Sequence, residues 1–339
     1  MRAHPAFTFV VSALLLAGPA AAAACDAVWR DAVRERDVPV HITLPDAPGA
    51  ASSNGSAGVP ARVPAVIWSP GLGGGLGSAQ RYVRAWAAAG IAVVRVQHSG
   101  SDGAVYAGDL PPAERAARVR AAITPAQVRA RIADIGFVVD ELERRKGEAA
   151  SDASCDLARI DGQRLALAGH SMGAWVVQAM AGNRDGSGEI GAAKGSAAGP
   201  NIDRRFRAFA AFSSSGPADP ELAARLFGGI GRPLLVVTGS KDGVPAGAAP
   251  ADAARDIAMR TALYAGAPAD GRKALLILAD GSHMVFAGDP GRNPAETSMQ
   301  DRAIAVTTLW WRRWLLNDAR ADTALARPAL LAGDVWQRK

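Results

Sequence analysis

Gly169-His170-Ser171-Met172-Gly173 stands between two apolar runs, Leu165-Ala166-Leu167-Ala168 and Ala174-Trp175-Val176-Val177. A short apolar run, a turn of small residues and a second apolar run read as buried strand, sharp turn and helix. A serine at such a turn needs glycine on both sides, because a Cβ there would strike the closely approaching strand or helix. The pattern G-x-S-x-G in this setting is a nucleophile elbow, which pushes Oγ out over the edge of a sheet. It occurs once in a chain that carries 37 glycines, so its placement counts for more than its spelling. The competing reading is a glycine-rich strand–helix turn with an idle serine.

A serine is a weak nucleophile until a histidine takes its proton, and the histidine needs a carboxylate to fix its tautomer. Of the five histidines only His283 lies beyond Ser171. It stands in Asp280-Gly281-Ser282-His283-Met284, directly after the apolar run Ala274 to Leu278, on a loop following a late strand. Asp242 follows the run Pro233 to Thr238 and the turn Gly239-Ser240-Lys241. The order serine, acid, histidine is the one an elbow of this kind takes. Asp280 is too near His283 in sequence to be the usual partner, and Asp219 and Glu221 follow an earlier strand where an acid could also stand. A turn cap is the structural alternative for Asp242. The oxyanion hole must come from backbone N–H groups, one of them that of Met172, just after the nucleophile. The other is expected after the strand Pro64 to Trp68, where Gly71-Leu72-Gly73-Gly74-Gly75 opens the backbone, and Leu72 is the expected donor. A phosphate loop would need a Gly-Lys-Ser/Thr ending, which is missing here. Leu76, Tyr106, Val244, Met284, Val285 and Phe286 are expected on the same loop face, as an apolar acyl or alcohol site or as ordinary core lining.

The first 24 residues read as a signal peptide: Arg2 and His4, an apolar stretch from Phe7 to Ala17, and small residues from Ala21 to Ala24. The apolar stretch is too short to span a bilayer, and no transmembrane segment is expected later. An exported protein, periplasmic or secreted, follows. Cys25 at the cleavage edge raises lipidation, against which Ala22 stands where a large aliphatic residue is preferred. Cys25 and Cys155, the only two cysteines, could instead form one disulfide. The net charge of +6 comes from basic residues scattered among acids along helices, a solvated surface rather than a nucleic-acid site. No His/Cys/Asp cluster has metal-ligand spacing, and no cofactor is expected.

Residues 25–339 read as a single domain. Strands are expected over Val38 to Leu44, Pro64 to Trp68, Ile91 to Val96 and Phe206 to Phe212, besides those already named. Helices are expected over Ser78 to Ala89, Pro125 to Arg145 and Thr297 to Leu316. Gln97 to Ile123 reads as long and irregular, Asp46 to Ala61 as a loop excursion, and residues 183–205 as a surface excursion and candidate small lid. Strands alternating with helices predict an α/β fold, a mostly parallel sheet flanked by helices on both faces. The loops at the carboxyl ends of its strands would then carry the site.

Five blocks carry a resemblance: Trp68 to Gly74, Val96 to Asp102, the elbow, Thr238 to Asp242, and Asp280 to Phe286. In order they resemble the blocks of the α/β-hydrolases known as predicted dienelactone hydrolases, to which platelet-activating-factor acetylhydrolase and cutinase-like polyester hydrolases are related. The resemblance runs from about Val38 to the C-terminal helix. It implies an α/β-hydrolase fold and a serine esterase with Ser171, Asp242 and His283 as triad and Leu72 and Met172 as oxyanion donors. Its substrate would be a small-molecule or lipid-like ester. This chain has serine where true dienelactone hydrolase has cysteine, and Ser69-Pro70-Gly71 where acetylhydrolase-like members have Ser-His-Gly. Leu72 replaces the aromatic common in polyester hydrolases, which favours a small or medium acyl ester. Other acyl transfer, amide hydrolysis, and an inactive binding protein on the same fold are the alternatives.

Overall fold

The apolar runs become strands buried on both faces. The computed structural model describes residues 23–46, 62–147, 156–184, 202–243 and 249–339. The strands are β1 (Ala24–Asp31), β2 (Arg36–Thr43), β3 (Val63–Ser69), β4 (Ala92–Val96), β5 (Ile160–His170), β6 (Phe206–Phe212), β7 (Leu234–Gly239), β8 (Lys273–Leu278) and β9 (Val335–Arg338). They form one nine-stranded sheet in the order β1-β2-β4-β3-β5-β6-β7-β8-β9. From β4 to β8 every neighbour is parallel, while β1, β2 and β9 run antiparallel to theirs. Among the described residues the helices are α1 (Gln80–Ala88), α2 (Pro112–Ala122), α3 (Pro125–Arg145), α4 (Met172–Ala181), α5 (Pro220–Phe227), α6 (Pro250–Gly266), α7 (Pro294–Leu315) and α8 (Ala319–Ala326).

The side-chain period of two splits each central strand between two cores. On β3, Ala65 and Ile67 join one cluster and Val66 and Trp68 the other; Leu165 and Leu167 are likewise divided from Ala166 and Ala168 on β5. Helices α3 to α6 cover the first face through Ile135, Val138, Val177, Phe227 and Leu263. Helices α1, α7 and α8 cover the second, where Trp86, Trp310 and Trp311 are fully buried. Trp86 Nε1 donates to Thr307 Oγ1 at 3.2 Å and Trp310 Nε1 to the Phe209 carbonyl at 3.2 Å, so two of the large rings bury their polar atom satisfied. This is an α/β fold with a mostly parallel sheet and helices on both faces.

The expected elements at Pro125 to Arg145 and Phe206 to Phe212 coincide with α3 and β6. Helices α2, α5, α6 and α8 and strands β1 and β9 were not among the elements expected. The stretch expected to be irregular contains α2, since Pro112 stands in the first turn, where its missing N–H costs nothing. That helix is almost wholly exposed and shows no apolar periodicity to betray it. β1 and β9 are edge strands with largely exposed, alternating patterns, too polar to register as buried runs. Most of the loop excursion after Asp46, and residues 185–201 of the surface excursion, lie outside the described residues, as does Cys155. Cys25 is disulfide-bonded. Among the described residues no helix is long and apolar enough to cross a membrane.

Removing the Trp310 side chain should open a cavity between α7 and the sheet and orphan the bond to β6. Trp310→Ala is expected to lower the unfolding free energy by about 3–5 kcal/mol in urea titrations. A change below about 1 kcal/mol would show that α7 does not close this core.

Candidate active site

Ser171 lies between the last residue of β5 and the first of α4, at φ 54° and ψ −115°. A non-glycine residue there costs about 1–3 kcal/mol and persists only where its surroundings fix it. They do so here. Ser171 N–H donates to the Phe212 carbonyl of β6 at 2.9 Å. A Cβ on Gly173 would stand 1.9 Å from the Ser69 carbonyl oxygen, and one on Gly169 2.4 Å from that of Gly173. Only glycine lets α4 start this close to the end of β3.

His283 opens a short 3₁₀ turn, His283–Ala287, after β8. Its Nε2 is 3.0 Å from Ser171 Oγ and its Nδ1 is 2.8 Å from Asp242 Oδ1. Asp242 follows β7 and is fully buried. The two loops are tied by Lys241 N–H, which donates to the Gly281 carbonyl at 3.0 Å. Thr238 Oγ1 donates to Asp242 Oδ2 at 2.8 Å, and Arg260 Nε lies 3.2 Å from Oδ1. Burial pushes the Asp242 carboxyl up, but the hydrogen bond from His283 and the Arg260 charge outweigh it and hold it below the usual range. An ionised Asp242 requires Nδ1–H of His283 to donate, which leaves Nε2 free to accept the Ser171 proton.

The other acids named from sequence stand elsewhere. Asp280 pairs with Lys241 at 2.7 Å on the surface. Asp219 caps α5 by accepting from the Glu221 and Leu222 amides, and Glu221 is exposed in that first turn.

The loop after β3 folds back on itself: Gly73 N–H donates to the Ser101 carbonyl at 2.9 Å and Gly74 N–H to that of Gly71 at 3.1 Å. Neither the Leu72 nor the Met172 amide finds a protein acceptor among the described residues. Leu72 and Ser171 line one cleft of about 380 Å³, together with Gly71, Gly73, His170 and His283. Tyr106, packed over Gly73, and Met284 form its apolar rim, 48% and 58% exposed. Trp68, Ser78, Ala287 and Asp289 also line it, and none of the four was expected there. Two expected pocket residues are elsewhere. Phe286 is fully buried in the second core, as is Val285 beside it, because the 3₁₀ turn points both rings-and-branches inward. Leu76 lines a separate depression with Asp26, His41 and Arg95, beyond the turn that leads into α1. Val244 lies outside the described residues.

His170, read from sequence only as a spacer within the elbow, braces the site. Its Nε2–H donates to the His283 carbonyl at 2.9 Å, and the two rings lie 4.8 Å apart. Burial, then the neighbouring His283, depress its pKa to about 3, so His170 stays neutral. No local signal could have found it, since its partner is 113 positions away.

No protein-family model matches the chain, and no curated protein matches it.

As pH falls, the unfolded chain takes up a proton at His170 near the ordinary value of 6.5, while the folded chain resists until about 3. Stability contributed by a histidine buried neutral is therefore complete above 6.5 and is lost progressively below it. His170→Asn is expected to flatten the decline in unfolding free energy between pH 6.5 and 4. An unchanged slope would mean that His170 is already charged in the fold.

Proposed function

We propose that this chain is an exported serine esterase of the α/β-hydrolase type, acting on esters of small or medium acyl chain. The observation that carries the reading is the continuous chain Ser171 Oγ, His283, Asp242 at 3.0 and 2.8 Å, opening on a cleft beside two unengaged amides. The placement of the groups after successive parallel strands supports the hydrolase type: oxyanion loop after β3, nucleophile after β5, acid after β7, histidine after β8. Export is supported by the leader-like N-terminal sequence and by the disulfide at Cys25, a bond that persists in oxidising compartments.

In the reaction, His283 Nε2 takes the Ser171 proton as Oγ attacks the ester carbonyl. The negative charge that develops on the carbonyl oxygen is met by the Leu72 and Met172 amides. Each such donor is worth roughly 10²–10³ in rate. Asp242 stabilises the imidazolium and stays ionised itself. His283 then protonates the departing alkoxide, the alcohol leaves, and an acyl group remains on Oγ. Water, deprotonated by His283, releases the acid and restores Ser171. A cleft of about 380 Å³ lies at the small end of ligand pockets. Its rim of Tyr106 and Met284 is open, which suits a short acyl chain with an alcohol of any bulk.

Hydrolysis of p-nitrophenyl esters from acetate to palmitate tests this. Activity is expected to peak among the short and medium chains, and Ser171→Ala to cost up to ~10⁶ in kcat. Wild type and variant equally inert on every ester would count against an esterase and for the same fold used in binding.

A further inference from the structure

A second Ser–His–Asp chain lies directly beneath the oxyanion loop. Ser69 Oγ is 3.0 Å from His98 Nε2, and His98 Nδ1 is 3.0 Å from Asp134 Oδ2. All three side chains are sealed from solvent, so no substrate reaches them. Asp134 is also held by Arg34 at 2.7 Å and by both ends of Arg36 at 2.8 Å, which keeps it ionised and acceptor-only. His98 must then donate from Nδ1 and accept the Ser69 proton at Nε2. Burial depresses its pKa to about 4, in keeping with that neutral form.

One turn before Asp134 on α3 stands Arg131, also fully buried. Its Nη1 donates to the Pro70 carbonyl at 2.5 Å and its Nη2 to the Gly71 carbonyl at 3.2 Å. Its Nε donates to Ser101 Oγ at 2.8 Å and Nη2 also to the Ser101 carbonyl at 3.0 Å, the same carbonyl that receives Gly73 N–H. All four of these bonds go either to the oxyanion loop or to the segment that anchors it. The peptide unit is planar and trans, so the Gly71 carbonyl and the Leu72 N–H point in opposite directions. Drawing the carbonyl inward onto a buried guanidinium turns the N–H outward, toward the cleft that Leu72 and Ser171 share.

We propose that Arg131 is a positioning residue that sets the Leu72 amide as an oxyanion donor, with the sealed Ser69–His98–Asp134 chain bracing helix α3 and the end of β3 around it. The catalytic consequence rests on the esterase reading; the orientation of the peptide does not. Burial pulls the guanidinium down to about 9, so it remains cationic at neutral pH and adds its charge behind the loop.

The test pairs kinetics with a crystal structure. In Arg131→Met, kcat per folded molecule is expected to fall roughly 10²–10³-fold, the worth of one oxyanion donor, with KM within about threefold of wild type. Arg131→Lys, which can reach one carbonyl but not both, should recover part of that loss. The Arg131→Met crystal structure should show the Gly71–Leu72 peptide rotated while the Ser171–His283 hydrogen bond persists. Ser101→Ala, which removes one Arg131 acceptor and leaves the guanidinium in place, covers the case where Met at 131 prevents folding; its kcat should fall roughly tenfold. An unrotated peptide in the variant overturns the proposal whether or not the protein hydrolyses esters. A rotated peptide with kcat retained overturns it as well, since Leu72 would then not be the donor. Should wild type prove inert on esters, the esterase reading fails, and the crystal structure still decides the positioning claim.

Discussion

The main-chain carbonyl of Ser69 occupies the space where a side chain on residue 173 would stand, 1.9 Å from an ideal Cβ there. That contact pins the start of α4 under the exit of β3. It fixes how close the serine turn comes to the glycine-rich loop, and with it the distance between the two amides that flank the cleft. The positive φ of Ser171 follows, because the chain must leave β5 and enter α4 within one residue to keep the approach. Strain of about 1–3 kcal/mol at that residue is sustained by the bond to Phe212 and by the two cores on either side.

Above and below this contact sit two hydrogen-bonded chains of the same three residue types. Their geometry is nearly the same, with heavy-atom separations of 3.0 and 2.8 Å in one and 3.0 and 3.0 Å in the other. What separates them is access and the surrounding donors. Ser171 faces a cleft and has an unengaged amide beside it, whereas Ser69 faces a sealed interior whose carbonyls are claimed by Arg131. A serine, histidine and aspartate in line are thus not in themselves a site. In a low-dielectric interior such a chain is worth most as a rigid, fully satisfied brace, and its cost rises steeply if any member is lost.

Much of the architecture was legible because buried parallel strands must be apolar on both faces, and six such runs stand out in the sequence. The elbow was legible because its glycines answer a local steric demand. Ser171, Asp242 and His283 could be named from their positions after those strands, and the fold brings them within hydrogen-bond distance. Elements that lack an apolar signature, β1, α2 and β9, were not legible. Nor were the cleft walls: Phe286 and Leu76 are apolar residues near the right loops, and only the packing decides that one is core and the other faces a different depression. His170, Arg260 and Arg131 escaped for the same reason. Each acts on a partner far away in sequence, and an arginine on an amphipathic helix reads as solvated until the fold buries it.

On the proposed reading, Ser171 is a nucleophile activated through His283. Mass spectrometry after treatment with a fluorophosphonate addresses it most directly, since the reagent needs an activated serine and no knowledge of the natural substrate. A single adduct is expected on the peptide containing Ser171, with labelling slowed at least ~10³-fold in His283→Ala. An adduct on another serine, or equal labelling without His283, would show that Ser171 is not activated in this way.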